Sequence, residues 1–358
     1  MGSIIRAAVL RGGRLRLERV PFVLPEGAVA LDVAACGVCG SDLRYAAGEN
    51  AWAKHTLGEQ RPVPEAMVLG HEISAWLEDE HGRRLVALVP FYTCGLCRQC
   101  RTGRPHLCAD TVHHGHGALS TAAHLSFGGF ADRTAAYPHQ VLAVPSGVSP
   151  EEATLLDGLA VAIHALQQAG CRPGATLAIV GAGPIGLSLL QAALFMGCVG
   201  AAAVDVAEDA LARAQTLGAV ATARATAAPA ADLAAHLRRN LPEGFDLVFD
   251  TSATAEGQHL CLELLARGGT AVFMAGLAEG VAIGESDLAA ERRLTTSCNC
   301  LPADYVLGLR MMEVSAFRAA PMVTHRFPLD RIQQAFDTAA NKAETGACKV
   351  VVLPGDGP

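Results

Sequence analysis

Cys94, Cys97, Cys100 and Cys108 stand at C-x2-C-x2-C-x7-C spacing, and no other feature restricts the folding of this chain so tightly. Four thiolates this close in sequence let one loop wrap a tetrahedral zinc ion. Gly95, Gly103 and Pro105 between them suit tight turning and little else. Buried or disulfide-paired cysteine is the alternative, but thiols at every third position pair poorly, because a bridge needs particular Cα separations. The segment 90–110 is therefore expected to be a structural zinc lobe, held by a metal rather than by a core. Such a lobe carries no activity of its own.

The length of 358 residues exceeds one ordinary domain and suggests two. At 51% hydrophobic and 18% charged residues there is ample material for buried cores. A net charge of -7 and the absence of basic runs argue against nucleic acid as a partner. The 12 cysteines are not arranged as a secreted disulfide framework. Residues 1–10 contain Arg6 and lack an apolar stretch long enough for a secretory signal. Arg6 also stands where a myristoylation motif needs Ser or Thr. A reducing cytoplasm is the expected compartment. The segment 174–204 holds no charged residue and invites a membrane reading. Gly181, Gly183, Pro184, Gly186, Gly197 and Gly200 break it, so it reads as buried strand, tight turn, buried helix and second strand, with no membrane partner.

Period-two runs at 4–10, 14–19 and 28–33, with Gly12-Gly13 and Pro25-Glu26-Gly27 between them, predict antiparallel strands. Residues 36–145 are rich in Gly, Pro, His and Cys and read as an irregular β domain carrying metal sites. Ser149-Pro150-Glu151-Glu152 is a helix start signal, and 151–170 has a helical period. Beyond it, expected strands (176–180, 201–205, 245–250, 270–275) alternate with expected helices (185–196, 207–217, 232–239, 257–265). That alternation implies a parallel sheet with helices on both faces. A terminal strand is expected at 349–353.

Gly181-Ala182-Gly183-Pro184-Ile185-Gly186 follows the apolar run 177–180 and opens one of these helices. The first glycine permits the turn, the second lets the backbone approach a pyrophosphate, and the third allows close helix–strand packing. The helix N-terminus adds N–H groups and a partial positive charge for the phosphates. Asp205 ends the next expected strand, 19 residues beyond Gly186. A carboxylate there accepts from both ribose hydroxyls and repels a 2′-phosphate, and no Arg or Lys immediately follows it. NAD is preferred over NADP on that ground. The alternative is that Asp205 merely caps the helix starting near Ala207.

Cys39, in Cys36-Gly37-Val38-Cys39-Gly40-Ser41-Asp42, and His71, in Gly70-His71-Glu72, are good zinc ligands. A catalytic zinc uses fewer protein ligands than a structural one and keeps a position open. At this point the chain resembles the zinc-dependent medium-chain dehydrogenase/reductase superfamily, in its sorbitol and threonine dehydrogenase-like branch. The motifs that carry the resemblance are Gly37–Asp42, Gly70–Glu72, the four-cysteine lobe, Gly128–Asp132, Gly181–Gly186 and Gly346–Val352, in family order along nearly the whole chain.

The resemblance implies an α/β two-domain fold: a GroES-like β-rich catalytic domain formed by 1–152 and 296–358, and a Rossmann domain with a doubly wound parallel sheet at 153–295. It implies two zinc ions per chain, one catalytic and one structural, with NAD as cofactor. Cys39 and His71 would ligate catalytic zinc, with Glu72 a ligand or close partner. Asp157, in Asp157-Gly158-Leu159-Ala160, stands at the fourth protein position, where relatives carry a carboxylate in an E-P-L-A-like segment. It is one methylene shorter here, and the resemblance implies that it binds the catalytic zinc directly or through water. Ser41 holds the family's relay-hydroxyl position. Arg44 replaces a histidine of many relatives and cannot act as a base. It is expected to bind substrate or a cofactor phosphate, or to be a solvated surface residue.

Tyr45 matches a pocket tyrosine of sorbitol-type enzymes, whereas their F-R-Y segment reads Cys298-Asn299-Cys300, which leaves Asn299 as the polar substrate contact there. His113, His114, His116 and His124 lie in the loop after the zinc lobe, near where relatives shape the cleft. They could bind substrate, but an exposed histidine-rich loop without a role is preferred. The implied activity is hydride transfer between a secondary alcohol (polyol, cyclitol, amino alcohol, or cyclic or terpenoid alcohol) and NAD. Relatives commonly form homodimers or homotetramers. A double-bond reductase without catalytic zinc and a non-catalytic NAD-binding zinc scaffold are the competing readings. Cys39, His71 and Glu72 together oppose both.

Overall fold

The first hairpin pairs a strand buried continuously at residues 7–10 with a mostly exposed one. In the computed structural model, which describes residues 3–116, 125, 127–225, 230–274 and 276–355, Ile4–Arg11 pairs antiparallel with Arg14–Pro21 along its whole length. Two compact units follow from the chain's contacts: 1–157 with 319–358, and 158–318.

The first unit is β-rich. Its largest sheet runs in the order Val141–Ala143, Gly82–Leu88, Glu72–Asp79, Val29–Gly37, Lys349–Leu353, Val323–Pro328, with Arg133–Ala136 also pairing Val29–Gly37. The terminal strand thus lies beside Val29–Gly37, which leads into Cys39, and Glu72–Asp79, which begins with Glu72, flanks the other side. Leu31, Leu69, Ile73 and Phe130 are among the side chains buried beneath. Burying each such side chain contributes about 1.5–3 kcal/mol, so this core anchors the strands that lead into Cys39 and begin with Glu72.

The second unit is a six-stranded parallel sheet in the order Ala221–Arg224, Ala201–Asp205, Leu177–Val180, Phe245–Asp250, Leu265–Phe273, Arg293–Thr296. Numbered along the unit this is 3-2-1-4-5-6, the Rossmann order, and the direction of winding reverses beside Leu177–Val180. The uncharged stretch resolves into Leu177–Val180, the 12-residue helix Pro184–Phe195 and Ala201–Asp205. No helix among the described residues is long and apolar enough to cross a membrane.

Two expectations are revised. The helix expected over 151–170 is two helices, Pro150–Ala153 and Leu156–Gln168. Ser149 starts the first as anticipated, accepting from the Glu152 N–H at 3.2 Å while its own N–H donates to Glu152 Oε2 at 3.0 Å. At the break, Thr154 Oγ1 donates to the Glu151 carbonyl at 2.7 Å, a local bond that competes with helix continuation. Residues 296–318, expected with the first unit, belong to the second. Arg293–Thr296 is the sheet's edge strand, and Asp304 on the following helix Pro302–Glu313 bonds His164 Nδ1 at 3.1 Å, both side chains buried. That pairing spans 140 positions in sequence and is invisible to any local pattern.

Candidate metal centres and dinucleotide turn

The four-cysteine loop folds as one short helix and one turn. Cys97 precedes the helix Arg98–Arg101, which carries Cys100, and Cys108 follows the 3-10 turn Pro105–Leu107. The sulfurs converge: Cys94–Cys100 are 4.0 Å apart, Cys97–Cys100 3.5 Å and Cys94–Cys108 3.5 Å. A tetrahedron with zinc–sulfur bonds of about 2.3 Å has edges of about 3.8 Å, so the four thiols fit zinc closely. The N–H groups of Leu96 and Cys97 hold the Cys94 thiol down to about 7, whereas burial pushes Cys108 up to about 12. A central cation would favour the thiolate at every position.

The second cluster lies in the same unit. Ligand atoms of Cys39, His71 and Glu72 all fall within 4.8 Å of one another. Cys39 caps the helix Gly40–Ala46, and the fully buried Asp42 ties the arrangement together. Asp42 Oδ2 accepts from the Cys39 N–H at 2.8 Å, and Oδ1 accepts from the Gly70 N–H at 3.2 Å. Glu72 is held by Lys349 Nζ, 2.6 Å from both carboxylate oxygens, in a pair almost wholly removed from solvent. Glycine is required at Gly37, where a Cβ would lie 2.0 Å from Glu72 Oε2. Asp157 stands at the edge, its Oδ2 3.9 Å from His71 Nε2.

Two observations fit a cation here. Burial alone would lower the His71 imidazolium, yet Asp42 and Cys39 hold it well above the usual histidine range. The buried His71 Nδ1 has no hydrogen-bond partner, and Asp42 Oδ1 is 3.7 Å away. A thiolate, an imidazole and a carboxylate are donors of the kinds and number that a catalytic zinc takes from its protein.

The histidine loop departs from expectation. His114 is buried, with Nδ1 3.1 Å from the Pro90 carbonyl and Nε2 2.9 Å from that of Ala135. His113 and His116 are half-buried and stack on each other at 4.3 Å, and His116 lies 4.3 Å from the His71 ring. His116 Nε2 is 3.1 Å from Ser41 Oγ. Burial lowers His113 to about 3 and His116 well below the usual range, so both rings are neutral. The loop turns inward because the strand pair Phe91–Tyr92 and Val112–His113 carries it there, and Phe91 stacks on His113 at 6.0 Å. Spacing alone offers no signal for this. His124 lies outside the described residues.

Tyr45 is fully buried, stacks under His116 at 5.2 Å, and donates its hydroxyl to Asn50 Oδ1 at 2.7 Å. Arg44 is engaged too: it bonds Glu49 at 3.1 and 2.6 Å and touches His55. Asn299 belongs to the other unit, where it adopts a left-handed backbone at φ 55° between half-buried Cys298 and buried Cys300.

In the second unit, Gly181 through Gly186 join Leu177–Val180 to the helix Pro184–Phe195. A Cβ on Gly186 would lie 2.0 Å from the Gly181 carbonyl, so the turn closes only with glycine there. Gly183, the helix cap, has open space where a Cβ would stand, as an approaching pyrophosphate requires. Pro184 and Ile185 form the first turn behind it. Asp205 serves two purposes: Oδ2 accepts from the Ala182 N–H at 2.7 Å, bracing the glycine turn, and Oδ1 accepts from the Ala207 N–H at 2.9 Å, at the cap of helix Glu208–Thr216. Arg224 sits opposite Asp205 in the sheet register, its Nη1 2.8 Å from Glu208 and its Nε 3.0 Å from the Val206 carbonyl. A cation thus reaches this corner from a neighbouring strand, where adjacency in sequence had shown none.

The family model described as "Alcohol dehydrogenase GroES-like domain" matches residues 25–146, and that described as "Zinc-binding dehydrogenase" matches 184–313. A "Probable D-xylulose reductase A" of Neosartorya fischeri is 31% identical over 255 residues, covering 68% of this chain and 67% of that protein. An L-threonine 3-dehydrogenase of Saccharopolyspora erythraea is 29% identical over 376 residues, 99% of this chain and 98% of its own. Among solved structures, an Escherichia coli oxidoreductase/dehydrogenase of unknown specificity involved in membrane biogenesis superposes with TM-score 0.85 at 25% identity, covering 99% of this chain and 100% of that one. A Sinorhizobium meliloti protein described as a zinc-binding dehydrogenase, bound to NADP, superposes with TM-score 0.84 at 26% identity over 98% of this chain and 100% of that one.

Proposed function

The chain belongs to the zinc-binding medium-chain dehydrogenase/reductase superfamily, and on that premise we propose that it oxidises a secondary alcohol to the ketone with NAD. The observation that carries this reading is the convergence of Cys39, His71 and Glu72 at one point. When bound, zinc supplies Lewis acidity that eases loss of the hydroxyl proton, and the dinucleotide supplies the hydride acceptor. Cys39, His71 and Glu72 would hold the catalytic metal, with Asp157, whose Oδ2 is 3.9 Å from His71 Nε2, as a fourth donor. Cys94, Cys97, Cys100 and Cys108 hold a structural zinc.

The remaining residues orient and relay. Asp42 fixes Cys39 through its N–H, and Lys349 keeps both Glu72 oxygens in place. Ser41 Oγ, 3.1 Å from His116 Nε2, would accept the hydrogen bond of the substrate hydroxyl and pass its proton on to solvent water. In the other unit, Gly181, Gly183, Pro184, Ile185 and Gly186 cradle the pyrophosphate and Asp205 takes the ribose hydroxyls. A carboxylate has about four lone-pair sites, so the bonds Asp205 already makes leave capacity for that. Glu208 offsets the charge of Arg224, which keeps the preference with NAD. Neutral imidazoles at His113 and His116 suit a substrate with a second polar group near the reacting carbon, a polyol, cyclitol or amino alcohol. Assembly as a homodimer or homotetramer goes with this reading.

The test is NAD reduction across vicinal polyols, amino alcohols and apolar cyclic alcohols, repeated with Cys39→Ser. The variant is expected to lose turnover and keep NAD binding, and undiminished turnover would sink the metal assignment. Turnover limited to apolar cyclic alcohols would overturn the polar-substrate reading while leaving the metal assignment standing.

A further inference from the structure

We infer that Cys171 and Cys198 form a thiol pair that hydrogen peroxide converts to an intramolecular disulfide, a modification site separate from both metal clusters. Their sulfurs are 3.3 Å apart within the second unit. A disulfide needs about 2.05 Å, a closure that side-chain rotation can deliver when both backbones are already adjacent.

The backbones are adjacent because the two cysteines occupy equivalent positions in twin helix endings. Helix Leu156–Gln168 ends with the Gly170 N–H bonded to the Gln167 carbonyl and the Cys171 N–H to that of Leu166. Helix Pro184–Phe195 ends with the Gly197 N–H bonded to the Leu194 carbonyl and the Cys198 N–H to that of Ala193. In each, a left-handed glycine (φ 74° and 90°) precedes the cysteine, as in a Schellman ending. The turns are then laced together, Gly174 N–H to Gly197 O at 2.8 Å and Val199 N–H to Ala175 O at 2.8 Å, as they enter neighbouring parallel strands. That lacing holds the thiols against each other.

The two thiols are chemically unequal. Cys171 is half-buried and Cys198 buried. The 3.3 Å contact lowers the Cys171 thiol, the same contact and burial raise Cys198, and Cys171 is the one a peroxide can reach from solvent. Cys171 is therefore the nucleophile. Its thiolate attacks one peroxide oxygen, the O–O bond breaks, and hydroxide leaves, giving a sulfenic acid. Cys198 sulfur then attacks the Cys171 sulfur, and the S–O bond breaks. The departing hydroxide takes the Cys198 proton as water. Two thiols and one peroxide thus become one disulfide and two waters. The bond would sit where the two strands begin, at the end opposite Gly181 and Asp205, so dinucleotide binding is expected to persist.

The metal-loaded protein should be treated with hydrogen peroxide, alkylated, and digested with trypsin. Trypsin spares Arg172 because Pro173 follows, so residues 134–213 are released as one peptide whose cysteines are Cys171 and Cys198 alone. The expected result is that peptide two hydrogens lighter, unalkylated, and restored by dithiothreitol, with NAD affinity changed less than about twofold. Cys198→Ala should instead leave Cys171 as a sulfenic or further oxidised acid. Full alkylation at both positions, or Cys171 oxidised without the bridge in the unaltered protein, would overturn the inference. A bridge accompanied by lost NAD binding would overturn its placement away from the dinucleotide turn.

Discussion

Replacing Lys349 by Met isolates the strongest electrostatic commitment near the candidate metal site. Lys349 Nζ lies 2.6 Å from both Glu72 oxygens, and the side chains are 5% and 2% exposed. Removing one partner of so buried a pair strands the other charge, at a cost of about 3–5 kcal/mol. In a unit of this size that corresponds to roughly 6–20 °C in Tm, at about 2–4 °C per kcal/mol. Both tryptophans, Trp52 and Trp76, lie in the same unit, so fluorescence-monitored urea unfolding reports on it alone. Lys349→Met with Glu72→Gln should recover most of the loss, because no uncompensated charge remains. Zinc should lessen the cost of the single variant by standing in for the lost cation. The pH dependence has a definite sign. Burial alone would lower the Lys349 ammonium, but Glu72 beside it raises it above the ordinary lysine value. Stability from this group is therefore complete below about pH 10.4, the ordinary lysine value, and declines only as pH rises through the folded value. The gap between variant and unaltered protein should stay level from neutral to pH 10 and narrow beyond it. A single-variant loss under about 1 kcal/mol, or a double variant no better than the single, would refute the reasoning.

Three further outcomes are expected. Gly186→Val, whose Cβ would meet the Gly181 carbonyl at 2.0 Å, should weaken NAD binding at least tenfold by fluorescence titration and leave the tryptophan-reported unfolding unchanged. Cys100→Ser, which breaks a sulfur cluster of 3.5–4.0 Å edges, should remove one of two bound zinc ions by atomic absorption, and unchanged zinc content would contradict the lobe's assignment. Arg44 and Lys54 hold the Glu49 carboxyl down to about 2, so its contribution is present above the ordinary carboxylate range and fades as pH falls towards 2. Glu49→Gln should therefore cost under about 1 kcal/mol at neutral pH, the pair being solvent-screened, and nothing at the acid end of a urea-unfolding series.

Much of the architecture was legible because it rests on local chemistry. Four thiols at fixed spacing demand a wrapped loop whatever surrounds them. A strand, three glycines and a helix start demand a tight turn, and Gly186 shows why at 2.0 Å. Ser149 and Glu152 announce a helix start from four consecutive residues. The two-domain α/β fold follows from such signals placed in order. Other features depend on residues far apart in sequence. Lys349 meets Glu72 across 277 positions only because the last strand pairs beside Val29–Gly37. His116 meets Ser41 across 75 positions only because a two-stranded pairing turns its loop inward, reversing the expectation of an exposed loop. Arg224 reaches the Asp205 corner by sheet register, and His164 draws Asp304 into the second unit across 140 positions. Short-range spacing encodes what one turn of chain can satisfy alone. Sheet register and burial decide which distant charges and rings must share a site, and those were settled only once the tertiary structure had closed.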